Sequence, residues 1–576
     1  MVNVPVVVTG MAWTTPLGDG LDDVWRLLCA GATGVVPVDS PHRVRTPLAA
    51  PVPSAPYGSA TPEERQIALA TRTLTAAFSD AGLAADDPRV TLVLGTSFGG
   101  QLDAEQEPER HWTREVADRL GHPGAPLCVT TACSAGADSL LVAEALIRGG
   151  HARICVAGGA DVLSEAKRLG HTALGTMSPT GLRAFDAAHD GLVLGEGAGF
   201  LVLEARETAR ARGARVHARL DGAGSANDAA GLTVPDPTGD SVVAAVRRCA
   251  GGIEDIGVVC AHGTGTPVND EVESATLRRL FADARRSPVV FGTKGALGHS
   301  LGATGAIEAI ATVQALRHRA TPPVAGLETP MPGFPLRLSD GTAPDVSGRA
   351  GLSLTLGFGG FNTCLRFSYG EVGDAGEEAA GEGPDGPGPG RTTSIGHGAV
   401  TVDDPATCSA NRPSFYADPV AWLVTAAVEA ALDESGRREE VLAARNAVGV
   451  VVLTGTRPLP TSRLLAAQAA DGRTSPLRFA GANPGILAGL TCIRWGLRGP
   501  SLVLAAAEDS AVDAALTVAD AWLRSGHTRY VIGVRHQVRA DGRHTAACAV
   551  LGASAEPGAD PRAFLTAPGT SVTTPA

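Results

Sequence analysis

Short apolar runs alternate with longer amphipathic stretches from the first residues of the chain onward. Val6 to Val8 reads as a strand, Asp22 to Ala30 and Pro62 to Ala81 as helices, and Val90 to Leu94 as another strand. Leu127 to Val129 is apolar and β-rich, and Ala137 to Arg148 is helix-like. Beyond them, Arg153 to Val156 closes on Gly-Gly-Ala-Asp, Phe200 to Glu204 precedes a basic helix, and Arg215 to Ala223 restarts the alternation. Ile256 to Cys260 ends on His262, and Val289 to Phe291 leads to Lys294 and His299. The pattern predicts an α/β protein whose strand ends deliver polar residues.

From Gly370 to Gly390 the apolar positions vanish and Gly, Pro and Glu dominate, which predicts a flexible acidic linker. A second globular unit follows and repeats part of the first. Its Val-Val-Leu-Thr-Gly-Thr from Val451 matches Leu-Val-Leu-Gly-Thr-Ser from Leu92, and the stretch from Ser510 matches the one from Ser134. Without a gap, Asp509 falls where Cys133 stands; a shift of one puts Glu508 there. The second unit also carries about sixteen more residues before this point, including Arg-Phe-Ala-Gly-Ala-Asn-Pro-Gly from Arg478, which the first unit lacks.

Composition narrows the function classes. The chain has 576 residues, 44% hydrophobic and 19% charged, with a net charge of -12 and no basic cluster, so neither a nucleic-acid footprint nor a polybasic membrane patch is expected. No export signal or membrane-length apolar run is legible, which predicts a cytoplasmic protein. Ten cysteines without Cys-x-x-Cys pairs then predict reduced thiols, with neither disulfides nor metal ligands. Only two lysines occur among 48 basic residues. Lys167, in Ser-Glu-Ala-Lys-Arg-Leu, reads as a solvated helix charge; Lys294, in Phe-Gly-Thr-Lys-Gly-Ala-Leu-Gly-His-Ser, sits where an ammonium needs a partner.

Cys133 lies in Thr-Thr-Ala-Cys-Ser-Ala-Gly between a strand and a helix. A sharp strand-to-helix turn presents such a side chain at a helix N-terminus, where free N–H groups and the helix dipole favour a thiolate. A small buried core thiol is the competing reading. Two further motifs bear on the choice: Ala-His-Gly-Thr-Gly-Thr-Pro at His262, and Lys-Gly-Ala-Leu-Gly-His-Ser-Leu-Gly-Ala-Thr-Gly-Ala-Ile-Glu, which holds Lys294, His299 and Glu308. Both histidines are embedded among glycines and small hydroxyl residues, a setting that lets a substrate approach the backbone. Gly-Glu-Gly-Ala-Gly at Gly195 is no dinucleotide loop, because a strand rather than a helix follows it; its glycines read as close packing.

In this order and at these separations, the three motifs strongly resemble the β-ketoacyl-acyl carrier protein synthases, the decarboxylating condensing enzymes of fatty-acid and polyketide assembly. The resemblance covers most of residues 1–369 and includes Val-Thr-Gly-Met-Ala-Trp-Thr-Thr-Pro-Leu-Gly from Val8, Thr-Met-Ser-Pro-Thr-Gly from Thr176 and Gly-Phe-Gly-Gly-Phe-Asn from Gly357. It implies a thiolase-like α/β fold of two pseudo-repeated halves in α-β-α-β-α layers, residues 1–214 and 215–369. A linker over 370–410 and a partial, nucleophile-less module over 411–576 complete the expected organisation.

The same resemblance implies that Cys133 is the acyl-carrying nucleophile and that His262 and His299 hold the enolate of a malonyl-type extender. Lys294 and Glu308 support them, backbone N–H groups of Cys133 and Phe358 form the oxyanion hole, and Phe358 also gates the pocket. Thr264 and Thr266 match positions that touch the phosphopantetheine arm. The substrates ride on acyl carrier protein, no other cofactor or metal is implied, and a homodimer or a heterodimer with another ketosynthase-like chain is expected. The first unit is short between Gly99 and Pro126, where relatives build acyl pocket and dimer contact. The module after the linker resembles a truncated chain-length factor, and the alternative to an enzyme is a non-catalytic, chain-length-factor-like scaffold that binds acyl carrier protein. The tail is expected to pack against the ketosynthase dimer surface, because half a fold cannot bury its own core.

Overall fold

The computed structural model describes residues 4–54, 60–103, 111–249, 252–282, 284, 287–342, 346, 348–370, 391–455, 459–506, 509–554 and 559–566. Local sequence explains the best-formed elements. Pro62–Ala81 starts on a capping box, in which Thr61 and Glu64 exchange hydrogen bonds, and stops on left-handed Gly82. The predicted strands Ile256–Cys260 and Val289–Phe291 form as read, and Val90–Gly95 runs one residue longer.

One sheet of sixteen strands runs through the molecule. In spatial order the first unit contributes Arg337–Leu338, Val289–Phe291, Ile256–Cys260, Ala350–Gly357, Phe361–Ser368, Ala218–Asn227, Val6–Thr14, Gly197–Ala205, Ile154–Asp161, Val90–Gly95 and Leu127–Val129. The order continues into the second unit with Ser501–Ala505, Val448–Thr454, Tyr530–Val538, His544–Ser554 and Arg391–Val402. Within the sheet, the two halves of the first unit join where Val6 to Val8 pair with Ala218 to Leu220. Between them lie the buried helices Ala135–Arg148 and Thr304–His318, the central helical layer of a thiolase-like fold. These helices approach closely through glycine: a Cβ on Gly136 would stand 2.9 Å from the Ala306 nitrogen, and one on Gly305 2.7 Å from the Ala137 nitrogen.

Each half carries its own tight turn into its central helix. Ala132 has φ 54° and Leu301 φ 48°, each opening a one-turn 3-10 segment. Left-handed backbone costs a non-glycine residue about 1 kcal/mol, so packing must hold both turns. In the first half the turn carries Cys133, and in the second it follows His299 directly.

The second unit repeats the five strands of the first half, in the same order and sense, starting one strand earlier than the expected boundary at 411. Arg391–Val402 is a twelve-residue strand, so the proposed linker over 370–410 ends by residue 390; residues 371–390 lie outside the described residues. The repeat extends to detail. Val6–Thr14 carries a bulge between Val8 and Gly10, and Arg391–Val402 carries one between Ser394 and Gly396. A Cβ on Gly10 would stand 2.7 Å from Ala81 Cβ, and one on Gly396 2.7 Å from the Ala431 oxygen, so each glycine seats a helix against its strand, Pro62–Ala81 in the first unit and Pro419–Glu434 in the second.

The units are joined along their edges. Leu127–Val129 and Ser501–Ala505 meet antiparallel, with Val129 opposite Leu504 and the Thr130 N–H donating to the Val503 oxygen at 3.0 Å. A single hydrophobic cluster includes Leu140, Leu141 and Val129 of the first unit with Val512, Val518 and Trp522 of the second. The tail therefore packs against the ketosynthase unit of the same chain. Among the described residues, no helix is long and apolar enough to cross a membrane.

Candidate active site

The Cys133 turn is built as its sequence predicts: strand Leu127–Val129, a 3-10 turn over Ala132–Ser134, then helix Ala135–Arg148. Cys133 is buried at 7% exposure and lines a cavity of about 220 Å³ with His262, His299, Thr264, Thr266 and Phe358. Exposed Val234 and Val268 mark its mouth, while Cys133, His171 and His299 stand at its buried end. Strand ends 227 residues apart in sequence converge here, as the Ser134 hydroxyl donates to the Phe361 oxygen at 2.9 Å.

The backbone N–H groups of Phe358 and of Cys133 itself lie near enough to the sulfur to favour its anion, as donors for an oxyanion at the same place would. Electrostatics at the thiol differ from the helix-terminus expectation. Burial pushes its pKa up to about 12, against the pull of Lys294 and the Phe358 N–H. Desolvation outweighs the local donors, so the resting group is a thiol.

Lys294 is buried, and its Nζ donates to Glu308 Oε1 at 2.6 Å and to the His262 backbone oxygen. The same ammonium stands 3.2 Å from His262 Nδ1. An ammonium has only donors, so Nδ1 must accept and the ring proton sits on Nε2. His299 reaches the same state another way, because the Leu301 N–H donates to its Nδ1 at 3.2 Å. The two rings stand edge to face at 5.3 Å. Burial, with Lys294 adding to it, holds both imidazoles well below the usual histidine range, so both are neutral N–H donors at physiological pH. Glu308 is pushed up to about 7 by burial, which Lys294 opposes, and its Oε2 has no hydrogen-bond partner among the described residues.

Thr264 and Thr266 share a hydrogen bond at 2.8 Å and both line the cavity. Cys133, His262, His299, Thr264, Thr266 and Phe358 thus meet at this site, with Lys294 and Glu308 directly behind it. Several others had no sequence signal strong enough to find them. Glu273 clamps the His262 loop by accepting from the His262 N–H at 2.7 Å and from the Gly263 N–H at 2.6 Å. Asp161 accepts from the N–H groups of Ser97 at 2.9 Å and Gly302 at 3.0 Å, holding the turn that follows His299.

Lys167 corrects its sequence reading. It is fully buried rather than solvated, with its Nζ 2.5 Å from Asp161 Oδ1 and 2.7 Å from the Val162 oxygen. Both lysines of the chain are therefore buried ion-pair partners beside the site. The Gly195 reading holds: strand Gly197–Ala205 follows, and a Cβ on Gly195 would collide with the Leu297 backbone.

In the second unit, Asp509 sits at the start of helix Ser510–Arg524, mostly exposed and 2.7 Å from Arg535. It faces solvent and an arginine. Glu508 lies outside the described residues.

A thiolase-like core with a thiol at one pseudo-equivalent turn and paired N–H imidazoles beside it defines an acyl-transferring condensing enzyme. Family profiles for the β-ketoacyl synthase N-terminal domain match residues 3–209 and 390–564, and the profile for its C-terminal domain matches residues 217–328; the chain belongs to the β-ketoacyl synthase family. It is 34% identical over 411 residues to a Streptomyces halstedii protein assigned by name to the polyketide β-ketoacyl synthases, covering 62% of this chain and 97% of that one. It is 30% identical over 414 residues to 3-oxoacyl-[acyl-carrier-protein] synthase 2 of Synechocystis, covering 63% and 97%. Among solved structures, the ishigamide ketosynthase/chain length factor matches with 30% identity and a TM-score of 0.58, over 64% of this chain and all of that one. The PfaC keto synthase-chain length factor shares the fold over 96% of this chain and 79% of its own, with a TM-score of 0.76 at 15% identity.

Proposed function

We propose that this β-ketoacyl synthase carries out decarboxylative condensation on substrates borne by acyl carrier protein, with Cys133, His262 and His299 as its catalytic residues. The observation that carries this reading is the pair of imidazoles, each with Nδ1 engaged as an acceptor and Nε2–H left as a donor beside the thiol. In the first half-reaction the Cys133 sulfur attacks the carrier's thioester carbonyl. The N–H groups of Cys133 and Phe358 hold the oxyanion, and the pantetheine thiol leaves with the proton that Cys133 gives up. In the second, the carboxylate carbon of a malonyl-type extender breaks away as carbon dioxide and its electron pair moves onto the thioester oxygen. Two Nε2–H donors stabilise that enolate. The carbanion then attacks the acyl carbonyl, the carbon–sulfur bond to Cys133 breaks, and the released thiolate takes a proton.

Thr264 and Thr266, between the mouth and the thiol, hydrogen-bond the pantetheine arm. Lys294 and Glu308 are positioning residues, acting through His262. No metal or other cofactor enters these steps. The tail takes the place of a partner chain: it occupies the sheet edge beside the Cys133 turn, and its core is continuous with that of the first unit. The expected dimer with a second ketosynthase-like chain is tested by light scattering of the full chain: a mass near 58.3 kDa means that the tail alone fills that partner's place.

Mass spectrometry after incubation with acyl-loaded carrier protein tests the chemistry. A mass increase confined to Cys133, absent in Cys133→Ala, supports the reading. A chain that never takes up the acyl group is the scaffold instead.

A further inference from the structure

One polar group at the buried end of the cavity has no task in these steps. His171 is 2% exposed and lines the cavity with Cys133, His299 and Phe358. Its Nδ1 is engaged by the Thr176 hydroxyl at 3.0 Å, and its Nε2 has no hydrogen-bond partner among the described residues. The ring is held in place from both sides. Phe358 lies 5.9 Å away, and Phe479, from the second unit, meets it edge-on at 5.3 Å. Phe479 also stacks on Phe98 at 5.2 Å and fills the space beside Gly170, where any Cβ would collide with its ring.

Phe479 belongs to the stretch from Arg478 that the first unit lacks, so the repeat supplies a packing partner to a residue that lines its twin's cavity. The surrounding cluster of Phe98, Leu102, Leu169, Phe479 and Ala482 is apolar. Burial, helped by Lys167 on the same helix, lowers the His171 pKa to about 4, so the imidazole is neutral. A neutral polar atom facing the cavity pays a desolvation cost whenever a purely hydrocarbon ligand displaces water from it.

We infer that His171 is a specificity-determining residue, whose Nε2 hydrogen-bonds an oxygen carried by the acyl chain and so selects oxygenated acyl groups over saturated ones. This rests on the ketosynthase reading and names the substrate class of the same site. A saturated chain leaves Nε2 unpaired, and sites built to hydrogen-bond a substrate group discriminate strongly against analogues that lack it. A hydroxyl and a keto oxygen are both met by imidazole, through its lone-pair and its N–H tautomer respectively.

The test is the rate at which Cys133 in the full chain takes up butyryl, 3-hydroxybutyryl or acetoacetyl groups from loaded carrier protein, followed by intact-protein mass. The wild type is expected to load at least one oxygenated group about tenfold faster than butyryl, and the faster of the two identifies the tautomer. His171→Phe brings that ratio to about one, and His171→Gln, whose amide reaches the Nε2 position, restores most of it. Thermal melts of each variant show that the fold is retained. A wild-type ratio near one, or a ratio unchanged in His171→Phe, overturns the inference while leaving the ketosynthase reading intact. Failure of all three groups to load overturns both.

Discussion

The Nζ of Lys294 stands 3.2 Å from Nδ1 of His262 and also bonds that residue's backbone oxygen, so one ammonium fixes both the ring's rotation and its tautomer. Glu308, 2.6 Å away on the central helix Thr304–His318, neutralises the charge that makes this possible. Acidic Glu308 therefore serves the imidazole only through lysine.

Breaking that link separates the two half-reactions. Lys294→Gln combined with Glu308→Gln keeps a neutral hydrogen bond but frees His262 to protonate Nδ1. Carbon dioxide release from malonyl-loaded carrier protein is expected to fall about a hundredfold, the scale of a lost oxyanion donor. Acyl uptake by Cys133, measured by mass, changes less than tenfold. Equal losses in both assays would contradict the positioning role.

Cys133 reactivity should follow its raised pKa. Burial holds the thiol protonated up to about 12, so the thiolate fraction rises tenfold per pH unit across the neutral and mildly alkaline range. Alkylation by iodoacetamide, read at Cys133 by peptide mass, is expected to climb on that slope from pH 7 to 10. A plateau below pH 8 would mean that the helix terminus and Lys294 outweigh desolvation.

Asp138 gives a pH-dependent stability. It is buried on the Cys133 helix, accepts from Thr131 and Thr363 at 2.5 Å each, and burial pushes it up to about 7. A carboxyl raised in the folded state binds a proton there that the unfolded chain has lost. Its contribution is complete below about pH 4 and disappears as pH rises through 7. Asp138→Asn should therefore flatten the decline in melting temperature between pH 5 and 8. An unchanged slope would show that Asp138 is ionised in the fold.

The shared core predicts one folding unit. Trp522→Ala removes a large side chain from the cluster that also holds Leu140 and Leu141, and should cost about 3 to 5 kcal/mol. Denaturant unfolding should remain a single transition for both units, and residues 1–369 expressed alone should aggregate. Two separate transitions, or a soluble fragment of undiminished activity, would refute the shared core.

Sequence determined what is local. The turn at Cys133 needs small neighbours, a strand behind it and a helix ahead, all of which lie within twenty residues and are legible as pattern. His262, Lys294 and His299 were found because each follows a strand end among glycines, and Glu308 through the family resemblance of the motif that holds it. The repeat was found the same way, although its first strand was lost to the neighbouring linker: Arg391–Val402 is rich in Gly, Thr and Ser, and its match to Val6–Thr14 rests on a shared bulge rather than on shared residues.

Tertiary structure decided what depends on facing partners. Lys167 looks like a surface charge on its own helix and is buried because Asp161, at the end of a strand, faces it. His171 carries no motif, and one of the rings packed against it, Phe479, is more than three hundred residues away in sequence. The tautomers of His262 and His299 were equally hidden, since a ring's proton is placed by whatever the other nitrogen meets. Residue type and spacing fixed which groups this protein carries; packing, by burying some and pairing others, decided which can react.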